Sequence, residues 1–440
     1  MNIQNTLFNN PFEGYAYSYP HKHAYRPFET AIPLESLWKE ESKDGLFLYL
    51  HIPFCEMRCG FCNLFTVANP KGNLEEQYMK ALQTEANVVS KAIGESQFSR
   101  IAVGGGTPTF LNLPLLESLF SIIQETMKVD TSKTPFSFEM SPKTVSLEKL
   151  HFLYQNGVDR VSIGIQSFIE NEQKTLGRPQ KNKEVFDALS MMRSVNFKTL
   201  NIDLIYGAFG QTANSWLFSL ESALMYDPEE IFIYPLYTRP LTGIMSMNKS
   251  ETDNRFNLYL LAKEFLLSQS YEQISMRLFR KKAISQTMNG LQYCCQEDGM
   301  VGLGSGARSY TKRVHYSSEY AVGSKNVKNI IQNYISKSTS DFASIDYGIR
   351  LNDSELKRRY LIKSILQVSG LDINQYNTFF NSDLIKDHPK LLSLLDSGLG
   401  FIENETLFKL TTDGIDWSDA IGPWLYSDEI KTKMEGFNLK

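Results

Sequence analysis

The chain predicts an α/β architecture: a partial (β/α)6 TIM-like barrel with an N-terminal arm and a small C-terminal winged-helix-like domain. Three observations carry the expectation. Short β-rich runs alternate with amphipathic helical runs, as βα units around a parallel sheet require. Six such strands appear before the pattern blurs near residue 251, which suits an open barrel better than a closed eight-stranded one. At roughly 150 residues per domain, 440 residues allow one large barrel plus an appendage.

The first 45 residues are rich in Tyr, Pro and His, with little periodicity, and read as an ordered arm. Strands are expected at 46–51, 100–103, 136–140, 160–165, 200–205 and 230–234. Helices are expected at 74–93, 114–127, 147–156, 183–195 and 214–226, and a further one at 251–268. In 74–93 the apolar positions recur at three- and four-residue spacing, as an amphipathic helix demands. The stretch 322–346 is polar and rich in Ser and Lys, a candidate boundary. The expected domains are therefore an arm at 1–45, a barrel at 46–335 and a C-terminal domain at 346–440. In the last, helical runs at 355–368 and 389–396 precede a hairpin, 399–403 with 407–411, and a final helix at 417–426 that Pro423 weakens.

Apolar residues make up 42% and charged residues 21%, enough for a sizeable core and too ordered a composition for wholesale disorder. A net charge of −4 argues against a nucleic-acid partner. Mean hydropathy is −0.28, and no apolar run approaches the ~18 residues of a membrane span. The N-terminal residues lack the build of a signal peptide, so a soluble cytoplasmic protein is expected. Five cysteines in so long a chain argue against a disulfide framework and raise metal or redox chemistry.

Three of the five form Cys55-x3-Cys59-x2-Cys62, directly after the first strand. Three thiolates on one loop can converge on a soft-metal cluster. Three ligands on four irons leave one iron open, the mark of a catalytic site. A structural zinc, with His51 as a weak fourth ligand, or three unrelated buried thiols are the bland alternatives. The other strand ends, where a parallel barrel collects its functional residues, carry further candidates. After strand two comes Gly104-Gly105-Gly106-Thr107-Pro108-Thr109, which allows close backbone approach to a ligand. Strand three ends with Glu139, strand four with Gln166 followed by Arg178, and Asp203 interrupts the apolar fifth strand.

The cysteine loop resembles the radical S-adenosylmethionine (SAM) superfamily. The order of the remaining motifs is similar to its HemN-like branch, the oxygen-independent coproporphyrinogen III oxidases and their relatives. Tyr49-Leu-His-Ile-Pro-Phe-Cys55, the GGGTPT loop, 160–168, 201–207 and Gly302-Leu-Gly-Ser-Gly-Ala307 carry the likeness, and Tyr15-Ala-Tyr-Ser-Tyr-Pro20 is similar to a segment near the start of true oxidases. The resemblance implies a [4Fe-4S] cluster on Cys55, Cys59 and Cys62, and one or two SAM molecules. Tyr49, Phe61, Gly105, Glu139 and the backbone near Arg308 would line the first SAM. Gly106, Thr107, Gln166, Arg178, Asp203 and the region of Pro235 match positions for a second. Glu139, Tyr49 and Arg308 are the catalytic candidates. The implied activity is that of an oxidoreductase: cleavage of SAM to a 5′-deoxyadenosyl radical and oxidative decarboxylation of propionates in porphyrin biosynthesis. A monomer with a small-molecule substrate, a porphyrinogen, and an electron donor such as flavodoxin or ferredoxin would follow.

Some residues depart from that pattern. Leu64 stands where the oxidases usually carry a further cysteine near the active site. Arg308 replaces an apolar residue, and with Lys312 and Arg313 it either receives substrate carboxylates or forms a solvated surface. Cys294-Cys295 are buried fillers or a replacement thiol. These departures keep two alternatives open: a HemN-like enzyme acting on another tetrapyrrole, peptide or natural product, including by methyl transfer, and a non-catalytic haem chaperone.

Overall fold

A computed structural model describes residues 10–16, 18–246, 253–285 and 299–439. Cys294 and Cys295 lie outside the described residues. The chain divides into two compact units: Arg26–Ala262 with Gly290–Ile349, and Met1–Tyr25 with Lys263–Asn289 and Arg350–Phe437. The stretch read as one arm is thus shared between the units at Tyr25/Arg26.

The first unit is built on six parallel strands: β1 (Asp44–Ile52), β2 (Gln97–Gly105), β3 (Phe136–Met140), β4 (Arg160–Gln166), β5 (Thr199–Tyr206) and β6 (Glu230–Pro235). Between them run α1 (Leu74–Ile93), α2 (Leu113–Ser121), α3 (Leu147–Gln155), α4 (Glu170–Thr175), α5 (Asn182–Val195) and α6 (Ala213–Leu224). In α1 the buried positions Tyr78, Leu82, Ala86, Val89 and Ile93 fall on one face, and Gly94 at φ +69 ends it. The open barrel is the expected one. Strand alternation explains its two faces. Ile101, Phe136, Phe138, Val161, Ile163, Ile202, Leu204, Ile231 and Ile233 are fully buried. The intervening positions carry Ser137, Glu139, Ser162, Asn201 and Asp203, a polar interior that opens toward the C-terminal ends.

Beyond β1 the sheet continues through strands that the sequence pattern did not reveal. β7 (Met300–Leu303) pairs parallel to β1, and β8 (Arg308–Tyr310) and β9 (Val314–Ser317) follow antiparallel. β10 (Ser344–Arg350) is next, and Arg26–Pro33 pairs antiparallel with it. The polar stretch 322–346, the candidate boundary, is itself folded, and the units divide just beyond it at Ile349/Arg350. It contains a helix, Ser324–Ile335, which buries Val327, Ile331 and Tyr334 on one face. Its Ser and Lys residues outnumber that apolar stripe in composition.

The second unit contains the winged-helix-like elements. Helices Asp353–Ile365, Ile373–Phe380 and Lys390–Asp396 precede the hairpin Gly400–Glu403/Leu407–Leu410, which Leu371–Asp372 joins as a third strand. The expected last helix is split into Thr412–Asp416 and Ser418–Trp424, with Pro423 in the final turn, and one more helix, Asp428–Glu435, follows. A second hairpin, Tyr271–Gln273/Leu278–Lys281, belongs to this unit. Within it the arm is buried: Tyr19 is fully enclosed, its hydroxyl meets Glu355, and its carbonyl accepts from Arg359 Nη1 at 2.6 Å. Lys263 bonds Asp416 at 2.6 Å, and Arg277 pairs with Asp419 under the ring of Tyr15.

Candidate active site

Cys55, Cys59 and Cys62 are free thiols on the loop that leaves β1 at the barrel mouth. Burial, with the negative charge of Cys62, Glu56 and Cys59, pushes Cys55 up to about 12. Burial and Cys59 likewise push Cys62 up. Yet each sulfur has a donor. The Thr107 hydroxyl reaches Cys55, Arg178 Nη1 donates to Cys59 Sγ at 3.1 Å, and the Leu64 N–H and Thr66 hydroxyl reach Cys62. Thiols flanked by donors that favour the thiolate suit ligation by positively charged metal. Among the described residues no three His, Cys, Asp or Glu side chains are grouped to hold a metal ion. His51 is committed elsewhere. Its Nε2 lies 3.0 Å from the Phe65 carbonyl, which only an N–H can satisfy, so Nδ1 accepts the Tyr49 hydroxyl at 3.2 Å.

Two loops clamp the cysteine loop. Gly60 N donates to the Leu176 and Gly177 carbonyls at 3.0 and 3.2 Å, and its carbonyl accepts Ile244 N at 2.9 Å. The approach requires glycine: a Cβ on Gly60 would lie 2.9 Å from Leu176 O, and Gly177 sits at φ +63. This contact delivers Arg178 to Cys59. Its Nη2 reaches Gly164 O at 3.0 Å and Ser141 Oγ at 3.4 Å, and Ser141 donates to Glu56 at 2.5 Å.

The Gly104–Gly106 turn lies between that loop and Glu139. A Cβ on Gly104 would meet the Glu139 carboxylate at 2.7 Å, and one on Gly106 would meet Phe54 O at 2.6 Å and Cys55 Sγ at 2.9 Å. Gly105, at φ +118, presses on the His51 ring and donates its N–H to Glu139 Oε2 at 3.1 Å. Glu139 is accessible to water, although protein surrounds it on every side, so it lines the lumen of the barrel. Burial raises its pKa, opposed by the Gly105 N–H and Arg160.

On β5, Asp203 accepts Asn201 Nδ2 at 2.8 Å and Ser162 Oγ at 3.5 Å. Below them Arg160 pairs with Glu230 at 2.9 Å. Burial pushes Asp203 up to about 7. The Glu139 charge adds to this, while Asn201, Arg160 and Ser162 oppose it. The folded state therefore holds the proton more tightly than the unfolded chain. The stabilisation is complete below the unfolded value near 4 and is lost as pH rises through about 7. The ceiling is about 4 kcal/mol, and water reaching the lumen lowers it. Asp203→Asn should flatten this part of the curve, so that melting temperatures of metal-free protein differ less between pH 5 and pH 8 than in the parent. Parallel curves would rule out Asp203 as the group responsible.

The remaining candidates are spread around the rim. Gln166 ends β4 at a register bulge with φ +73 and folds its amide back over Gly164. For a residue with a Cβ this is a strained conformation of the kind that clusters at ligand sites. Phe61 packs with Tyr234 and Phe209 on the core group of Leu176, Ile205 and Leu236. Arg308 opens β8 beside the Gly302–Ala307 loop, and that loop wraps His51. Lys312 and Arg313 do not belong to the site. They occupy the β8–β9 turn, at the end of the sheet opposite the mouth, because Tyr310 pairs with Met300 at the start of β7. Sequence reasoning missed Glu56, Thr66 and Ser141, and it missed Glu85. Glu85 accepts Gly304 N and the Tyr334 hydroxyl, both at 2.7 Å, and so fixes the glycine loop. Nothing in their local sequence marks them.

The family model described as the radical SAM superfamily matches residues 49–222. A curated relative, the heme chaperone HemW of Bacillus subtilis, is 30% identical over 272 residues, covering 60% of this chain and 70% of its own. The chain belongs to the HemN-like radical SAM family. The oxygen-independent coproporphyrinogen III oxidase of Salmonella typhimurium is 26% identical over 84% of this chain and 83% of its own. That of Synechocystis is 27% identical over 88% and 84%. The solved HemN coproporphyrinogen III oxidase of Escherichia coli superposes with a TM-score of 0.81 at 22% identity, over 93% of this chain and 96% of its own, so the fold is shared. The cofactors of this HemN-like radical SAM protein are a [4Fe-4S] cluster and SAM, and the three donor-supported thiols fit the cluster. Among the described residues no helix is long and apolar enough to cross a membrane.

Proposed function

We propose that this HemN-like protein decarboxylates propionate side chains of a porphyrinogen, with coproporphyrinogen III as substrate. Extent of likeness carries the reading. Relatives named as oxidases align over 80–89% of the chain, against 60% and 71% for two named heme chaperones. The cluster and SAM, when bound, supply a 5′-deoxyadenosyl radical. The substrate loses a hydrogen atom from a propionate β-carbon, then CO2 and one electron to an acceptor, leaving a vinyl group. Cys55, Cys59 and Cys62 would hold the cluster, with Thr107 and Arg178 steadying two of its sulfurs. Glu139 and Gly105 would orient SAM at the lumen wall, and Tyr49 stands beside them through His51. Gln166 and Asp203 line the same lumen and are the groups for a second SAM.

The second reading, a haem chaperone, is favoured by Leu64. It is 49% exposed on the cysteine loop, where it offers an apolar surface in place of a thiol. Anaerobically reconstituted protein given SAM, dithionite and coproporphyrinogen III should yield 5′-deoxyadenosine together with a vinyl product. Deoxyadenosine without vinyl product would sink the substrate assignment and leave a HemN-like enzyme for another substrate; methylated product with S-adenosylhomocysteine would identify methyl transfer. No Soret shift at micromolar haem would remove the chaperone.

A further inference from the structure

An anionic substrate must be received by a protein of net charge −4, so its cations at the barrel mouth matter. Most are committed. Arg178 serves Cys59, Arg58 donates to the Val322 carbonyl, and Arg255 pairs with Asp253 at 2.6 Å. Arg239 differs. It sits on the segment that leaves β6, partly buried, with its guanidinium 4.6 Å above the Tyr237 ring. Among the described residues it meets no carboxylate.

The segment carrying it is held in place. The Arg239 carbonyl accepts the Thr242 hydroxyl at 2.6 Å and its N–H at 3.3 Å, and Ile244 N donates to Gly60 O on the cysteine loop at 2.9 Å. A Cβ on Gly243 would lie 3.3 Å from Gly60 Cα. Between these anchors Leu241 is 51% exposed at φ +63, a conformation that a branched apolar residue adopts under strain. Strain of this kind, maintained by surrounding anchors, gathers at ligand clamps. The strap thus presents one guanidinium that meets no carboxylate among the described residues and one exposed leucine, fastened to a loop that exposes Leu64.

We infer that Arg239 on this strap is the residue that receives a substrate carboxylate, while Leu64 and Leu241 meet the apolar face of the same ligand. This rests on the porphyrinogen reading and gives it a specificity residue. A guanidinium stacked on an aromatic ring keeps its edge free for a two-point bond to a carboxylate. The ligand class is an apolar macrocycle bearing carboxylates.

The test titrates reconstituted holoprotein anaerobically with coproporphyrin III and with its tetramethyl ester, which keeps the ring and removes the charges. Arg239→Ala should weaken the acid about tenfold or more, leave the ester unchanged, and keep iron content and cluster spectrum at parent levels. Arg239→Lys should recover part of the loss. Equal affinity of parent and Arg239→Ala for the acid, equal losses for acid and ester, or a parent that does not prefer the acid would each overturn the assignment. If the parent converts coproporphyrinogen III and Arg239→Ala does so with unchanged KM, the decarboxylase reading stands and the Arg239 role falls. If acid binding depends on Arg239 but no vinyl product forms, the carboxylate site stands and the decarboxylase reading falls.

Discussion

Gly106→Ala should give a folded chain that carries little iron. The added methyl would lie 2.6 Å from the Phe54 carbonyl oxygen and 2.9 Å from Cys55 Sγ, while Gly106 N is already bonded to Ile52 O at 2.8 Å. Neither neighbour is the yielding end of a long side chain. One is backbone, and the other is the sulfur that would hold the cluster. The turn must therefore move off the loop, and Thr107, the donor to Cys55, moves with it. Ligands misplaced by a fraction of an ångström lose metal affinity steeply, and loss of supporting donors alone costs roughly 10- to 100-fold. Iron per chain and the charge-transfer absorbance after anaerobic reconstitution should fall to a small fraction of the parent, with circular dichroism unchanged. Full iron loading would show that Cys55 adapts to the methyl group.

In the second unit, Arg277→Ala should cost about 3–5 kcal/mol. The side chains of Arg277 and Asp419 are 2% and 3% exposed, and the ring of Tyr15 covers the guanidinium at 3.6 Å. Removing the cation leaves the Asp419 carboxylate in the interior without that guanidinium. The Asp419 carbonyl also receives Gly14 N at 3.0 Å, so the arm should loosen with it. Thermal melting and protease sensitivity of residues 10–25 measure both effects. Replacing the two partners together, Arg277→Met with Asp419→Leu, should recover most of the stability, because no charge is left buried. A double variant as weak as the single one would falsify the electrostatic explanation in favour of lost packing.

The six parallel strands were legible because each has one face of Ile, Val, Leu or Phe against the helices. The cysteine loop was legible because its spacing carries its chemistry. What escaped was set by distant partners. β8 is three residues long, and its pairing depends on β7 and β9 rather than on its own pattern. Helix Ser324–Ile335 was hidden because its buried stripe is three residues among many polar ones. Arg178 and Thr107 read as positions for a second SAM, and their bonds to cysteine sulfurs had no signal in the sequence. That placement of Arg178 depends on the Gly60–Gly177 approach, which joins residues 119 apart in sequence at the Cys59–Arg178 bond. No local pattern encodes such a contact.

The strand order also dictates when the site can be completed during synthesis. β1, which launches the cysteine loop, takes one neighbour from β2 and the other from β7 at 300–303. Its second edge therefore has no native partner until some 250 further residues have left the ribosome. The glycine loop that cages His51 follows β7 and arrives equally late. A nascent chain already holds all three cysteines but presents them on an unfinished sheet edge, a surface prone to pairing with other chains. The folded site is accordingly complete only once β7 has docked, long after the cysteines have emerged.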